Sequence, residues 1–215
     1  MDLAIIFDMD GVIVNNGNYH QKAWGVFCKK NTIDFSIKKF KSELFGKTNE
    51  KVLPELFGRD LSKQEIQKLS EEKEQIYRDI YQPHLKPVNG LIMFLKSLDQ
   101  NNIPMGVATS APKANVDCIL DGLDIRKFIQ IIVDDSMVRY GKPHPEIYLK
   151  AAKMLGAKPE NCIVFEDSIA GTKSARDAGA KVIALTTTLP AEKHKYADKI
   201  ISDFTEVSIQ LIKNL

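Results

Sequence analysis

The sequence predicts an α/β fold: a doubly wound, Rossmann-like parallel-sheet core with an α-helical cap inserted near its start. Three observations carry that expectation. The first run, Leu3 to Phe7, is continuously apolar, as in a strand covered on both faces. After Pro87, short apolar runs alternate with helical stretches at the spacing of a parallel sheet. Between Asn15 and Pro87 strand patterns stop and charged, helical periodicity takes over. The core is therefore assigned to residues 1–14 and 88–215 and the cap to residues 15–87, with linkers near Val14–Gly17 and Gln82–Val88.

The elements follow in order. Leu3–Phe7 runs into Asp8-Met9-Asp10-Gly11-Val12. In the cap, Tyr19, Ala23, Val26 and Phe27 share one helical stripe, with Trp24 beside them. Ser36 is placed to cap a helix through Leu44. Leu61-Ser62-Lys63-Gln64-Glu65 has the form of a capping box before a helix reaching about Tyr81. Pro54, Gly58, Pro83 and Pro87 read as breakers. A helix over Gly90–Gln100 then leads to a strand, Pro104–Ala108, and to Thr109-Ser110. A helix over Lys113–Leu120 leads to Ile129–Val133 and Asp134-Asp135. Gly141-Lys142-Pro143 precedes a helix over Pro145–Leu155, with Gly156 as its stop. Cys162–Phe165 leads to Glu166-Asp167-Ser168 and a helix to Ala178, and Lys181–Leu185 and Lys199–Ser202 complete the strands.

Composition narrows the class. The 215 residues are 44% hydrophobic and 27% charged, enough for a sizeable core. Thirty Lys+Arg against 28 Asp+Glu leave a net charge of +2, which gives no reason to expect nucleic acid or a membrane surface as partner. The three cysteines, Cys28, Cys118 and Cys162, lack metal spacing and suit reduced thiols in the cytoplasm. Asp2 precedes an apolar run too short for a signal peptide, and no stretch is long enough to span a bilayer.

Four predicted strands end in polar residues: Asp8/Asp10, Thr109/Ser110, Asp134/Asp135 and Glu166/Asp167. In a parallel sheet these ends share one edge, where open α/β sheets build their sites. Acids, a hydroxyl and Lys142 converging there form a hard-oxygen site beside a cation. Such a site suits Mg²⁺ and phosphoryl transfer. Asp134 and Asp135 also read as an ordinary loop and are left out of the site.

Asp8-Met9-Asp10-Gly11-Val12, Thr109, Gly141-Lys142-Pro143-His144-Pro145, and Phe165-Glu166-Asp167-Ser168 with Gly171 occur in that order. They resemble the four motifs of the haloacid dehalogenase superfamily, closest to its β-phosphoglucomutase and sugar-phosphate phosphatase branch, which carries a helical cap after the first motif. The resemblance implies Asp8 as nucleophile and Asp10 as general acid and then base. It implies Thr109 as a hydrogen-bond partner of the phosphoryl group and Lys142 as the cation that offsets its charge. It implies a Mg²⁺ site of Asp8, the Asp10 backbone carbonyl and Asp167, with Glu166 beside it, directly or through water. As a bare residue Thr109 also fits a helix N-cap, or Ser110 is the cap instead, and Ser110 is taken with the substrate contacts. His20 and Trp24 resemble a cap histidine and tryptophan that face substrate. Gly46-Lys47-Thr48-Asn49 resembles the cap substrate loop, and Lys73 a cap lysine that meets substrate. As bare residues, these cap positions also fit packing and solvated surface.

The chain departs from the mutase pattern in three places. Asn49 stands where the mutase has an arginine, Ala111-Pro112-Lys113 where it has Ser-Lys-Asn, and Asn15-Asn16 where an acid and a hydroxyl follow the first motif. An amide lacks the charged fork that grips a second phosphate. The expectation is a monomeric Mg²⁺-dependent phosphatase of a small phosphorylated metabolite, a sugar or polyol phosphate. A hexose-phosphate mutase is the alternative, and a phospho-acceptor signalling module the third reading.

Overall fold

A computed structural model describes residues 3–40 and 48–215. The chain forms two compact units, Met1–Asn15 with Leu85–Leu215, and Asn16–His84. The elements are β1 (Ala4–Phe7), α1 (Gly17–Lys30), a helical turn α2 (Ile37–Lys39), α3 (Asn49–Phe57), α4 (Lys63–Tyr81), α5 (Leu91–Gln100), β2 (Met105–Ala108), α6 (Lys113–Gly122), β3 (Ile131–Val133), α7 (Glu146–Met154), β4 (Cys162–Glu166), α8 (Ile169–Asp177), β5 (Lys181–Leu185), β6 (Lys199–Ile201) and α9 (Ile209–Lys213).

The larger unit is one six-stranded parallel sheet in the order β3-β2-β1-β4-β5-β6. The strand order reverses between β1 and β4, the switch point where such sheets open a crevice. Register fixes what meets there. Phe7 is level with Val107 on one side and Phe165 on the other, so Asp8 follows beside Ala108 and Glu166. The Asp8 amide still donates to the Phe165 carbonyl at 2.9 Å.

All four residues of β1 are buried, as a continuous apolar run requires. Alternate side chains go to opposite faces. Ala4 and Ile6 pack in one cluster with Ile147, Tyr148 and Ala151 of α7 and Ala175 of α8. Phe7 packs on the other face against Phe94 of α5, Phe165 and Phe204, with centroids 5.2–6.3 Å apart. Full burial of each such ring stabilises the fold by roughly 1.5–3 kcal/mol.

The smaller unit is helical. Trp24, Phe27, Cys28, Phe40, Val52 and Leu53 form its core. Ser62 and Glu65 form both bonds of a capping box at the start of α4. The Ser36 helix is described only as far as Phe40; its expected end at Leu44 lies outside the described residues. Pro54 is a correction: it does not break the chain but sits inside α3, which runs on to Gly58 in a left-handed cap. A nine-residue helix bears the lost amide bond because its apolar face, Val52 and Leu53, is buried. β3 starts at Ile131 rather than Ile129 because the tight turn Arg126–Phe128 uses the preceding residues.

Candidate active site

β1, β2 and β4 deliver their carboxyl ends to one place. The Lys142 ammonium, 134 residues from Asp8 in sequence, lies 2.7 Å from Asp8 Oδ1 and 2.6 Å from Glu166 Oε1. It also donates to the Ala108 carbonyl at 3.3 Å. Single carboxylate oxygens of Asp8, Glu166 and Asp167 lie within 4.8 Å of one another, all three residues buried. Thr109 is buried one residue past β2, and its Oγ1 accepts from the Ala111 amide at 3.1 Å. That bond uses a lone pair and leaves the hydroxyl proton to donate. Neither Thr109 nor Ser110 caps α6, whose N-cap is Pro112; Ser110 is exposed. Asp10 is half-buried in the turn after β1, and its carboxylate is outside the trio.

The carboxylates are not equivalent. Glu166 accepts five hydrogen bonds: Lys142 and the Tyr148 hydroxyl on Oε1, and the Asp167 amide, the Ser168 amide and the Ser168 hydroxyl on Oε2. Burial pushes its carboxyl up, but the Lys142 charge and these donors outweigh that and hold it below the ordinary range. Asp8 has one side-chain donor among the described residues, Lys142. Burial raises its carboxyl to about 7 against the pull of Lys142, with Glu166 and Asp10 adding repulsion. Burial, then the negative charge of Glu166 and Asp8, lifts Asp167 well above its usual value.

Two glycines make room for this crowding. Gly11 has φ +81°, and a Cβ there would lie 1.9 Å from Asp167 Oδ2. A Cβ at Gly171 would lie 1.6 Å from Glu166 Oε1. The donor set is hard oxygen throughout, and Lys142 bonds two of the three carboxylates, Asp8 and Glu166. Such a set fits a small divalent cation such as Mg²⁺, which would balance the excess charge and favour ionised Asp8 and Asp167.

Sequence reasoning missed three residues here. Thr187 donates from its hydroxyl to the Gly11 carbonyl, and Thr188 hydrogen-bonds Asp167. Both follow β5, so the strand-end logic applied to Thr186-Thr187-Thr188 would have found them. Tyr148, buried in α7, carries no local signal beyond a phenol that needs a partner.

In the helical unit, His20, Trp24 and Lys73 come together. Lys73 Nζ is 2.9 Å from His20 Nδ1, 2.7 Å from Glu74 Oε1 and 5.1 Å from the Trp24 ring centroid. An ammonium only donates, so Nδ1 accepts and the imidazole proton sits on Nε2. Burial and the Lys73 charge lower His20 to about 3, so the ring is neutral. Asn49 Nδ2 donates to Glu74 at 2.9 Å. Gly46 and Lys47 lie outside the described residues.

A doubly wound sheet that gathers carboxylates, a lysine and a hydroxyl at its switch point defines a class of acid-centred α/β enzymes. Residues 5–185 match the haloacid dehalogenase-like hydrolase family, and the chain belongs to that family. It is similar to the β-phosphoglucomutase of Bacillus subtilis (strain 168), with 30% identity over 217 residues that cover 97% of this chain and 93% of the relative. It is similar to the validoxylamine A 7′-phosphate phosphatase of Streptomyces hygroscopicus subsp. limoneus, with 28% identity over 202 residues and 94% of each chain covered. Among solved structures, a HAD hydrolase of family IA, variant 3, from Entamoeba histolytica HM-1:IMSS superposes with a TM-score of 0.92 at 31% identity, covering 100% of this chain and 98% of that one.

Proposed function

We propose that the protein is a Mg²⁺-dependent phosphatase that hydrolyses a small phosphorylated metabolite, a sugar or polyol phosphate, through a phosphorylated Asp8. The observation that carries this reading is the contrast between Asp8 and Glu166. Both touch Lys142, but Glu166 is saturated with donors, whereas Asp8 has a single one and keeps lone pairs for attack.

An Asp8 oxygen attacks phosphorus, the bond to the substrate oxygen breaks, and Asp10 gives that oxygen a proton. Asp10 then takes a proton from the water that attacks the acyl phosphate, which releases phosphate and restores Asp8. Lys142 offsets negative charge on Asp8 and the phosphoryl oxygens, and the Thr109 hydroxyl donates to one of them. Asp8, Asp167 and the Asp10 carbonyl would hold the cation, which supplies further charge compensation, with Glu166 behind them fixing Lys142. His20, Trp24, Lys73, Ser110 and the Gly46 loop are proposed as substrate contacts, with neutral His20 as a donor rather than an acid or base.

Phosphatase is favoured over mutase by Asn49, whose amide is spent on the buried carboxylate of Glu74. Lys113, the cation within the altered run, is exposed and paired with Asp117. Neither offers a charged fork to a second phosphate. The 30% identity to a β-phosphoglucomutase keeps a hexose-phosphate mutase as the second reading. Burial raises the Cys28 and Cys162 thiols to about 11, which suits inert core cysteines. The proposed enzyme is cytoplasmic and acts as a monomer. Among the described residues no helix is long and apolar enough to cross a membrane.

The test is phosphate release from a panel of sugar and polyol phosphates with Mg²⁺, with EDTA, and with Asp8→Asn. Release with Mg²⁺ that both treatments abolish supports the reading; full turnover by Asp8→Asn ends it. Conversion of β-glucose 1-phosphate to glucose 6-phosphate faster than phosphate release, with a bisphosphate primer, selects the mutase.

A further inference from the structure

Tyr148 stands in two relations to Lys142. Its ring centroid is 4.9 Å from the ammonium. Its hydroxyl donates at 2.9 Å to Glu166 Oε1, the same oxygen that Lys142 uses at 2.6 Å. The side chain is 1% exposed and projects from α7 into the sheet core beside Ile147 and Ala151, so it is a rigid anchor. Burial, with the negative charge of Glu166, holds the phenol protonated, and it therefore donates.

A lysine reaches its partners on a flexible four-carbon stem. Here its three ammonium protons have three acceptors: Asp8 Oδ1, Glu166 Oε1 and the Ala108 carbonyl. The Ala108 carbonyl belongs to β2, and Asp8 directly follows β1. Of this tripod's three acceptors, only Glu166 Oε1 takes a second side-chain bond, from the Tyr148 hydroxyl. Without the phenol, Oε1 has only Lys142 to satisfy it, and the ammonium is drawn toward Glu166 and away from Asp8. The aromatic face closes the remaining side by a cation–π contact.

We propose that Tyr148 is a positioning residue for Lys142: its hydroxyl pins the shared Glu166 oxygen, its ring backs the ammonium, and together they hold the lysine against Asp8. The rate consequence rests on the phosphatase reading; the placement of the ammonium does not.

The test uses full-length protein labelled with ¹⁵N-lysine and read without metal or substrate, the Lys142 signal being assigned with Lys142→Arg. The parent should show a slowly exchanging Lys142 ammonium. Tyr148→Phe, which keeps the ring, should speed its exchange with water about tenfold, and Tyr148→Leu more. With the best substrate, Tyr148→Phe should lower kcat by roughly five- to twentyfold with KM within about twofold. In a Glu166→Gln background the same substitution should cost less than about twofold, because its effect runs through that carboxylate. Unchanged ammonium exchange in both Tyr148 variants overturns the proposal, even where the melting temperature falls, as does a full multiplicative loss in the Glu166→Gln background. If the parent releases no phosphate from any substrate, the phosphatase reading fails, and the exchange measurement still decides the role of Tyr148.

Discussion

Gly171→Ala should destabilise the protein although it places a better helix former inside a helix. Gly171 lies in the first turn of α8, where its amide donates to the Ser168 hydroxyl at 2.9 Å. Elsewhere in a helix the change gains about 1 kcal/mol. Here the new Cβ would meet Glu166 Oε1 at 1.6 Å, Cδ at 1.9 Å and Oε2 at 2.3 Å. The end of a long side chain usually swings aside at little cost. Glu166 is 1% exposed, and each of its oxygens is bound by named donors, so any escape breaks bonds to a buried charge. A carboxylate displaced by about 2 Å loses at least the Lys142 and Tyr148 bonds, at ~1.5–3 kcal/mol each for charged partners. Set against the helical gain, the net loss is about 2–5 kcal/mol, or roughly 4–20 °C in Tm for a domain of this size. Urea unfolding followed by far-UV circular dichroism measures it, with turnover read alongside, since the Lys142 tripod moves too. Gly141→Ala is the control: nothing lies within 4 Å of its added Cβ, and its stability should stay within about 0.5 kcal/mol of the parent. A Gly171→Ala protein as stable and as active as the parent would refute the packing of Glu166 described above.

Three further outcomes follow from named contacts. Thr188→Val removes the hydroxyl that bonds Asp167 and should weaken Mg²⁺ binding about tenfold by calorimetry, with no comparable loss of Tm. Ser62→Ala deletes the capping box of α4 and should cost about 1 kcal/mol, read by urea unfolding. His20, lowered to about 3 in the folded chain, binds a proton only in the unfolded chain between that value and 6.5. Its contribution is therefore present above pH 6.5 and lost as pH falls, at ~1.4 kcal/mol per pH unit, or about 2 kcal/mol from pH 6.5 to 5. Asp8 works in the opposite sense over the same range, because burial raises it to about 7 and folding then takes up a proton. The difference between the parent and His20→Asn isolates the histidine; equal slopes against pH for the two proteins would contradict the buried Lys73–His20 contact.

Much of the core was readable because a parallel strand covered on both faces announces itself as an unbroken apolar run. Leu3–Phe7, Pro104–Ala108 and Cys162–Phe165 read this way, the structure places β1, β2 and β4 over them, and each is followed by a polar residue at the same edge. That rule links Asp8 to Glu166 across more than a hundred residues without any local signal, whereas Lys142, in the loop before α7, was reached through its Gly-Lys-Pro motif. It was less complete for α3, because Pro54 reads as a breaker when only local propensity is weighed, while tertiary burial of Val52 and Leu53 carries the helix through it. Thr187 and Thr188 were legible in principle, as polar residues after β5, but hydroxyls draw less attention than acids. Tyr148 was not legible at all: on a helical wheel it is one more apolar-face residue, and only the packed fold shows that its hydroxyl reaches Glu166.

Glu166 and Asp167 show most clearly what motif and coordinates each contribute. As bare residues, both acids before a helix can cap it or hold a metal, and only the motif resemblance puts Asp167 in the metal site with Glu166 beside it. In the folded chain they face different tasks. Glu166 is the last residue of β4, so it points into the interior, where five donors and the crowding at Gly171 confine it and its charge is spent on Lys142. Asp167, one residue beyond the strand, faces Gly11 and Thr188, and burial beside two other acids leaves it in want of positive charge. A carboxylate already satisfied by protons is a poor cation ligand, and one pressed toward protonation by its neighbours gains most from a cation. On the proposed reading, Asp167 with Asp8 would take the metal and Glu166 the lysine. Exchanging the pair tests it: Asp167→Asn should reduce Mg²⁺ affinity by about tenfold or more, whereas Glu166→Gln should leave affinity within a few-fold and act on kcat instead. Equal losses of affinity in the two variants would show that both acids ligate.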